Sequence, residues 1–456
     1  MPLMNIENSL NGSLMILNQF KWLIDSYVLD FYTEEHWNRL PKIWKAMLEQ
    51  VEPEILIDLF KLESDSSRDQ IVWPLSLICL RSLVQKLNIS RHNQYVDKKH
   101  LQLEPMCYRH VKLKNAFRKR IKPKKLHEIE RMAALCSKTA TDCHVEYVLD
   151  FGAGLGHLAR VLGYGYGLNV CCLEQQKRLS DEAKLIDENL YRTACKFLEC
   201  DEIKRLRRPV HLNVQLTEST DTESLLNQIS ECFNIPNDKR DKLTFGIVGL
   251  HPCGDLAAIL LNVFLKCKEA KFINIAGCCY MKMTDSSFPL SNYLRRHSLS
   301  HLSYEAKEIS CHHQEIYVQR LADRNYDHLM IHSYRASIEK IISKYWPQLK
   351  HVGLKSIKHS PGLTFSDYCS RATSHLRIVI SEDEISSANV ERDLRCWKKI
   401  VIFYTLRLML APLVESVILY DRMLFVSEKH HCVQSEALFD PVISPRNVVM
   451  TAVKRC

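Results

Sequence analysis

Apolar residues recur at two different spacings along the chain, and the change of spacing divides it into regions of different predicted structure. In residues 1–100 the apolar positions recur at helical spacing, which predicts an N-terminal helical accessory region. Between residues 101 and 283, short apolar runs alternate with charged segments of helical spacing, a pattern that indicates a parallel sheet with intervening helices. Five strand-like runs occupy residues 147–150, 168–174, 211–216, 243–250 and 271–277.

The pattern changes after the fifth strand-like run. Residues 284–430 have mostly helical spacing, and they form an insertion far longer than an ordinary connection between strands. Two further strand-like runs, at residues 432–439 and 447–453, predict a closing antiparallel hairpin in residues 431–456. The elements together predict an α/β fold with a seven-stranded, Rossmann-like sheet. The helical insertion between strands 5 and 6 is then placed to recognise a substrate.

Composition indicates a globular protein, because 46% of the residues are hydrophobic and support a packed core. The longest apolar run, at residues 400–420, has the length of a membrane span, but Arg407, Pro412 and Glu415 interrupt it. Since charges are costly inside a bilayer, we expect buried helices there and no membrane contact. The net charge of +9 permits an anionic partner such as RNA without requiring one.

Eighteen cysteines are dispersed along the chain, which opens without the basic, apolar and small-residue segments of a signal peptide. This usage predicts reduced thiols, and hence an intracellular protein that is not secreted. The sequence carries no signal that decides between cytoplasm and nucleus or that predicts an oligomeric state.

The most informative stretch has alternate glycines at Gly152, Gly154 and Gly156, directly after the first strand and its terminal Asp150. Such glycines allow positive φ and close approach of a ligand to the backbone. The dinucleotide fingerprint needs a glycine where His157 stands, so NAD and FAD are disfavoured. The second strand ends in an acid placed to accept ribose hydroxyls. The predicted cofactor-binding residues are Asp150, Gly152, Ala153, Gly154, Gly156, Glu174, Gln175 and Leu250.

Reactive side chains follow the fourth and fifth strands, whose carboxyl ends should meet at one edge of a doubly wound sheet. His251 is a candidate general base, although a histidine there also suits a helix cap or a loop hydrogen bond. Cys253 follows a proline and is either a thiolate nucleophile or an ordinary buried cysteine. The predicted residues of the reaction site are His251, Cys253, Asp255, Cys279 and Tyr280.

The same strand ends hold the residue types of a zinc site, namely His251, Cys253, Cys278 and Cys279, with His312 or His313 as a further ligand. The C-x-x-C spacing that is typical of such sites is missing. Adjacent residues of a strand also point to opposite faces, so Cys278 and Cys279 should not share a site. The sequence therefore predicts no metal site.

A basic segment lies before the helix that leads into the first strand. Its predicted nucleic-acid-binding residues are Arg118, Lys119, Arg120, Lys122, Lys124 and Lys125. Such a segment is either a solvated helix face with a linker or a patch that contacts phosphates. Only Tyr108 and Phe117 are aromatic within it, which disfavours a platform for stacked single-stranded bases.

Three stretches combine into a specific pattern: the glycine turn at 150–158, Gly-Leu-His-Pro-Cys-Gly-Asp-Leu at 249–256 and Cys-Cys-Tyr at 278–280. With residues 333–336 and 437–447, this pattern resembles the methyltransferase-like protein 25 family, nearest to its branch named for a ribosomal RNA adenine dimethylase domain. The resemblance runs from about residue 100 to the end. The core alone is more distantly similar to a tRNA ribose 2′-O-methyltransferase.

The resemblance implies a class I methyltransferase fold with S-adenosylmethionine (SAM) as cofactor and Asp150 near its methionine end. It also implies an RNA substrate, either rRNA or tRNA. The Asn/Asp-Pro-Pro-Tyr/Phe motif that holds an exocyclic amine for N-methylation does not follow the fourth strand, so the acceptor atom stays open. Two alternatives also stay open: a protein methyltransferase whose insertion docks a polypeptide, and a SAM-binding adaptor without catalysis.

Overall fold

The computed structural model describes residues 3–61, 71–91, 110–119, 121–236, 238, 240 and 243–455. The chain divides into two compact units. The sheet unit comprises Met1–Gly12, Ile89–His301 and Ser416–Cys456, and the helical unit comprises Ser13–Asn88 and Leu302–Glu415.

This division differs from the predicted boundaries at residues 100, 283 and 430, which treated the N-terminal region and the insertion as separate parts. The helical unit combines most of both, because their helices pack on each other. His351 Nε2, for example, lies 2.8 Å from Asp30 Oδ2, and Lys398 Nζ donates to Glu52 Oε1 at 2.7 Å. The predicted boundary near residue 100 falls outside the described residues.

The sheet contains all seven predicted strands: β1 Tyr147–Phe151, β2 Asn169–Glu174, β3 Val210–Asn213, β4 Phe245–Leu250, β5 Ala270–Ala276, β6 Cys432–Ala437 and β7 Val448–Val453. Their order is β3-β2-β1-β4-β5-β7-β6. Strands β1 to β5 pair in parallel, whereas β7 runs antiparallel to both β5 and β6. The predicted α/β fold with a closing hairpin is therefore confirmed.

The helices are given in chain order. The N-terminal part contains α1 Leu3–Gln19, α2 Lys21–Ile24, α3 Lys42–Leu48 and α4 Leu75–Leu87, with 3-10 turns at Val28–Asp30, His36–Arg39 and Pro53–Leu59. Between residues 110 and 301 lie α5 Val111–Arg118, α6 Pro123–Asp142, α7 His157–Arg160, α8 Lys177–Phe197, α9 Cys200–Arg205, α10 Thr222–Cys232, α11 Leu256–Lys266 and α12 Asn292–Arg295. A π-helical turn at Val161–Gly165 extends α7, and a 3-10 turn spans Tyr280–Lys282.

The long insertion between β5 and β6 is mostly helical, as predicted. After α12 it contains α13 Tyr304–Ile309, α14 Gln314–Ala322, α15 Tyr326–Tyr345, α16 Phe365–Thr373, α17 Glu382–Ile385, α18 Ala388–Arg395 and α19 Trp397–Ser427, with a 3-10 turn at Pro347–Leu349.

Helix α19 carries the apolar run noted in the sequence. Among the described residues, it is the one helix long and apolar enough to cross a membrane, and its most apolar window is entirely buried inside the protein, as in a core helix. Its charged groups have polar partners there. Arg407 Nη2 donates to the Ile24 carbonyl oxygen at 3.1 Å, and the Asp421 carboxylate accepts from the Leu290 amide at 2.7 Å. Buried charges paired in this way are tolerated in a protein interior.

The central strands β1 and β4 are buried on both faces, as expected of a parallel sheet covered by helices. Gly246 of β4 lies against the Phe272 ring of β5, and a Cβ atom at Gly246 would stand 2.0 Å from Phe272 Cζ. A glycine is required there because no side chain fits beneath the ring.

We predict that Gly246→Ala destabilises the sheet unit by about 1–3 kcal/mol through overpacking. Chemical denaturation of the wild type, Gly246→Ala, Phe272→Leu and the double variant forms a double-mutant cycle. Phe272→Leu should lower the free energy of unfolding less in the Gly246→Ala background than in the wild type, because the smaller leucine side chain makes room for the new methyl group. Additive losses of free energy of unfolding would contradict the predicted collision.

Candidate active site

The candidate site lies where β1, β4 and β5 end. These neighbouring strands are parallel, so Phe151, Leu250 and Ala276 bring their following turns to one edge of the sheet. The first two turns touch, since a Cβ atom at Gly152 would lie 3.6 Å from Leu256 Cδ2 in α11. The predicted convergence of the strand ends is therefore present in the structure.

The three glycines after β1 all have positive φ, at +69° for Gly152, +56° for Gly154 and +71° for Gly156. Their surroundings differ. A Cβ atom at Gly154 would meet nothing within 4 Å, whereas one at Gly156 would lie 3.4 Å from the His211 ring. Gly154 therefore faces open space suited to a ligand, whereas the space beside Gly156 is filled by His211, Arg160 and Cys172.

A buried charge network supports the turn from behind. Asp187 of α8 forms an ion pair with Arg160 of α7, and its Oδ2 lies 2.5 Å from His211 Nε2 in β3. Arg160 Nη2 also donates to the Ala183 carbonyl oxygen at 3.1 Å. This network fixes the helix after the glycines, and the sequence analysis missed it because its members stand far apart and belong to no local motif.

Two buried carboxylates flank the open glycine. Glu174 accepts hydrogen bonds from the Gly154 amide through Oε2 and from the Gln176 amide through Oε1, both at 2.9 Å. Asp150 is 3% exposed, and its Oδ2 has no hydrogen-bond partner among the described residues. Burial raises the pKa of Asp150 to about 7, with Lys125 lowering it and Glu174 raising it further.

These residues fit SAM. An unsatisfied, buried carboxylate oxygen is costly by itself and suits a cationic ligand group such as the cofactor's amino group. Glu174 retains acceptor capacity for ribose hydroxyls, because each of its oxygens receives a single hydrogen bond from the protein. Of the other predicted cofactor residues, Ala153 is half-buried, Gln175 is exposed and Leu250 is buried at the end of β4.

His251 begins the turn after β4 and is held in an unusual geometry. Its φ of +69° is rare for a residue other than glycine, and strain of this kind is concentrated at functional sites. Its Nε2 lies 2.9 Å from Glu128 Oε2, and Glu128 in α6 is 1% exposed. Burial alone would raise the pKa of Glu128, but its interactions with His251, Ser444 and Lys124 together outweigh burial and the pKa is lowered.

Glu128 has further partners that orient it. Ser444 Oγ donates to its Oε1 at 2.6 Å, and Lys124 Nζ lies 3.9 Å from the same oxygen. A histidine aligned by a buried carboxylate is the arrangement of many general bases. The sequence analysis missed Glu128 and Ser444, since the one available signal was an acid on the apolar side of a predicted helix.

Three thiols meet beside this turn. Cys253 Sγ lies 3.0 Å from Cys278 Sγ, which lies 3.7 Å from Cys279 Sγ. The hydrogen bond with Cys278 lowers the pKa of Cys253 to about 5. The expectation that Cys278 and Cys279 point apart is wrong, because β5 ends at Ala276 and both cysteines lie in the turn beyond it, where strand alternation does not apply.

Two other predicted reaction-site residues have structural partners. Asp255 accepts hydrogen bonds from the Thr284 amide at 2.8 Å and from the Ser287 hydroxyl, which holds the segment after the 3-10 turn. Tyr280 is buried, with the Arg422 guanidinium 5.6 Å from its ring centre. Their predicted roles in the reaction stay predictions. His312, considered as a zinc ligand, hydrogen-bonds to Tyr404 Oη and Glu308 within the helical unit.

The basic segment is only partly available for a ligand. Arg118 donates to Glu130 Oε1 at 2.7 Å, and Lys125 is half-buried and acts on the pKa of Asp150. The remaining described members, Lys119, Lys122 and Lys124, are exposed. Arg120 lies outside the described residues.

Comparison with known proteins agrees with this geometry. A family model described as a methyltransferase domain matches residues 124–286, which span the glycine turn, β4, β5 and the thiols. The protein named "Probable methyltransferase-like protein 25" is similar to this chain, with 26% identity over 257 residues in Mus musculus and 29% over 252 residues in Homo sapiens. Each match covers 51% of this chain and 40% of the relative. This chain therefore spans less than half the length of these relatives.

Among solved structures, the plantazolicin methyltransferase BpumL in complex with SAH is similar over 69% of this chain and 93% of its own, with 12% identity. Its TM-score of 0.21 is too low to support any statement about this chain. The family match, the two relatives and the sheet order instead agree with the resemblance predicted from the sequence. Residues 124–286 form a class I methyltransferase domain, for which SAM is the cofactor, and about half of the chain is similar to methyltransferase-like protein 25.

Proposed function

We propose that the protein transfers a methyl group from SAM to RNA. The observation that carries the proposal is a continuous set of contacts from the basic segment to the candidate base. Lys124 Nζ lies 3.9 Å from Glu128, and Glu128 lies 2.9 Å from His251 Nε2. A phosphate bound at the start of α6 would therefore stand close to the group that receives a proton from the acceptor.

The cradle binds and orients the methyl donor. SAM, when bound, supplies a methyl group on a sulfonium that is open to nucleophilic attack. Asp150 would hold its amino group, Glu174 its ribose hydroxyls, and the open side of Gly154 would let it approach the backbone. Much of the catalysis then comes from alignment of donor and acceptor, which lowers the entropic barrier.

His251 would remove the proton of a weakly acidic acceptor such as a hydroxyl. With Nε2–H donating to Glu128, Nδ1 is the nitrogen that accepts the proton. The imidazolium that forms is stabilised by the buried carboxylate beside it. Glu128 is thus a positioning residue, and its own partner Ser444 keeps it in place.

The start of α6 supports an anionic partner on a second ground. Lys122 is the N-cap of this 20-residue helix, and Lys124 lies in its first turn, where the helix dipole disfavours positive charge. A bound phosphate would interact favourably with both the lysines and the free N–H groups. An RNA substrate would also agree with a protein of the cytoplasm or nucleus.

We predict that Gly154→Arg abolishes SAM binding, because the new side chain would enter the open space of the cradle. Calorimetric titration with SAM measures the effect. Gly362→Arg is a matched control, since Gly362 also has positive φ, at +78°, with nothing within 4 Å of a Cβ atom. The control should bind like the wild type. If Gly154→Arg still binds SAM, or if the folded wild type does not, the glycine turn is not the SAM-binding site.

A second prediction concerns pH. Because the pKa of Asp150 is raised to about 7 and a cationic ligand group needs the ionised form, SAM affinity should rise about tenfold per pH unit below 7 and level off above it. Asp150→Asn should weaken binding and remove this dependence. A pH dependence that is the same in wild type and variant would show that Asp150 does not contact the cofactor.

The same substitution tests the stability of the apo protein. Unfolded Asp150 ionises near 3.8 and folded Asp150 near 7, so its contribution to stability is fully present below pH 3.8 and lost as pH rises through 7. Asp150→Asn should therefore unfold at the same or a higher temperature than the wild type at pH 8. A large loss of stability would mean that its reduced SAM binding reflects damage to the fold.

A third prediction concerns RNA. The double variant Lys119→Glu/Lys122→Glu should bind bulk tRNA and rRNA more weakly, and the slope of log affinity against log salt should fall by about 2 if each lysine contacts one phosphate. Lys138→Glu/Lys268→Glu changes the net charge equally at exposed lysines elsewhere in the sheet unit and should keep the wild-type slope. Equal slopes in both variants would remove the basic segment from the proposal.

Transfer itself is measured with methyl-labelled SAM in cell extract. Label in a fraction that ribonuclease destroys and protease leaves intact supports an RNA acceptor. Label that only protease destroys would overturn the RNA proposal in favour of a protein substrate. Intact SAM binding without transfer to either fraction would favour a non-catalytic adaptor.

A further inference from the structure

We propose that the thiols of Cys253, Cys278 and Cys279 form a zinc site with one open coordination position. Their three sulfur atoms all lie within 4.8 Å of one another. The site uses none of the side chains assigned to the SAM cradle.

The sulfur positions agree with tetrahedral coordination. A Zn–S bond of about 2.3 Å places two sulfur ligands about 3.8 Å apart. The Cys278–Cys279 pair already has this separation, at 3.7 Å, and the Cys253–Cys278 pair is closer, at 3.0 Å. Small rotations of the side chains therefore suffice to receive the ion.

The backbone brings the two turns together in a specific way. Gly254 has a φ of +57°, and a Cβ atom on it would stand 2.9 Å from the Lys282 carbonyl oxygen. A glycine next to Cys253 thus lets the turn after β4 approach the 3-10 turn after β5. The approach places Cys253 against the two adjacent cysteines, which the strand pattern alone would have separated.

A cation lies beside the cluster. The guanidinium of buried Arg422 packs so closely against Gly277, the residue before Cys278, that a Cβ atom there would lie 2.6 Å from its Nη1. Three thiolates and one Zn²⁺ carry a net charge of −1, which this arginine offsets. Sulfur ligands without a carboxylate select zinc and other soft ions over Mg²⁺ or Ca²⁺.

The fourth position is open to solvent, because Cys253 is exposed and no histidine or carboxylate among the described residues joins the group. Three protein ligands with an exchangeable fourth are typical of reactive zinc sites, whereas purely structural sites are closed. Water would occupy this position, and a thiol or an imidazole could replace it. The metal ion would then bind such a ligand at the edge of the reaction site.

Metal binding can be tested directly on the reduced, full-length chain. Titration with Co²⁺ should give one equivalent and a thiolate-to-cobalt charge-transfer band, and Zn²⁺ should displace the Co²⁺. Each of Cys253→Ser, Cys278→Ser and Cys279→Ser should weaken Co²⁺ binding about 100-fold or more. Cys195→Ser and Cys200→Ser, which alter exposed cysteines elsewhere, should leave it unchanged. Added imidazole should shift the cobalt d–d bands if the fourth position is exchangeable.

X-ray absorption of the zinc-loaded wild type gives a measurement that needs no variant, and it should count three sulfur ligands and one lighter ligand. Fewer than three sulfurs, no stoichiometric metal, or binding retained in all three serine variants would overturn the proposal. A Cys253–Cys278 disulfide that forms in place of metal binding would overturn it as well. Because SAM binding is measured separately, failure of the zinc site and failure of the cradle are distinguishable.

Discussion

Parallel pairing of β2, β1, β4 and β5 is the constraint on which the rest of the structure depends. It brings four carboxyl ends to one edge of the sheet, and each end there contributes a polar or reactive group. Glu174 and Asp150 supply carboxylates, His251 an imidazole, and the turn after β5 two thiols. Side chains as far apart in sequence as Asp150 and Cys279 are thereby brought to the same edge of the sheet.

Two residues at this edge are held in energetically unfavourable arrangements. The carboxylate of Asp150 is out of water and lacks a partner for one oxygen, and His251 has a backbone conformation that glycine would adopt more easily. Both arrangements cost free energy in the isolated chain. Packed neighbouring elements can hold such strain. Examples are helix α6 and the Arg160–Asp187 ion pair behind the glycines, whose polar groups have partners.

Local chemistry explains which parts of the structure could be predicted from sequence. Five strands are mostly buried and left apolar runs in the sequence, whereas β3 and β6 are more exposed and left shorter, more polar runs. All seven were found, and the cradle followed from Asp150 and its glycines. Glu128 was not found, because its partner His251 is distant in sequence and nothing local marks the acid. The thiol cluster was considered and rejected, because C-x-x-C spacing is missing and because strand alternation was applied beyond Ala276. The sequence also did not predict that residues 13–88 and 302–415 form one unit, because that depends on tertiary packing.

The position of β7 has a consequence for the order of synthesis. Strand β7 lies between β5 and β6 in the sheet, yet residues 277–447 separate its first residue from the end of β5. During translation at 5–20 residues per second, β5 therefore presents an unpaired apolar edge for roughly 10–30 s. The nascent chain must be protected from edge-to-edge association throughout that interval. We therefore expect the yield of folded protein in cells to depend strongly on chaperones, even if the folded protein is stable.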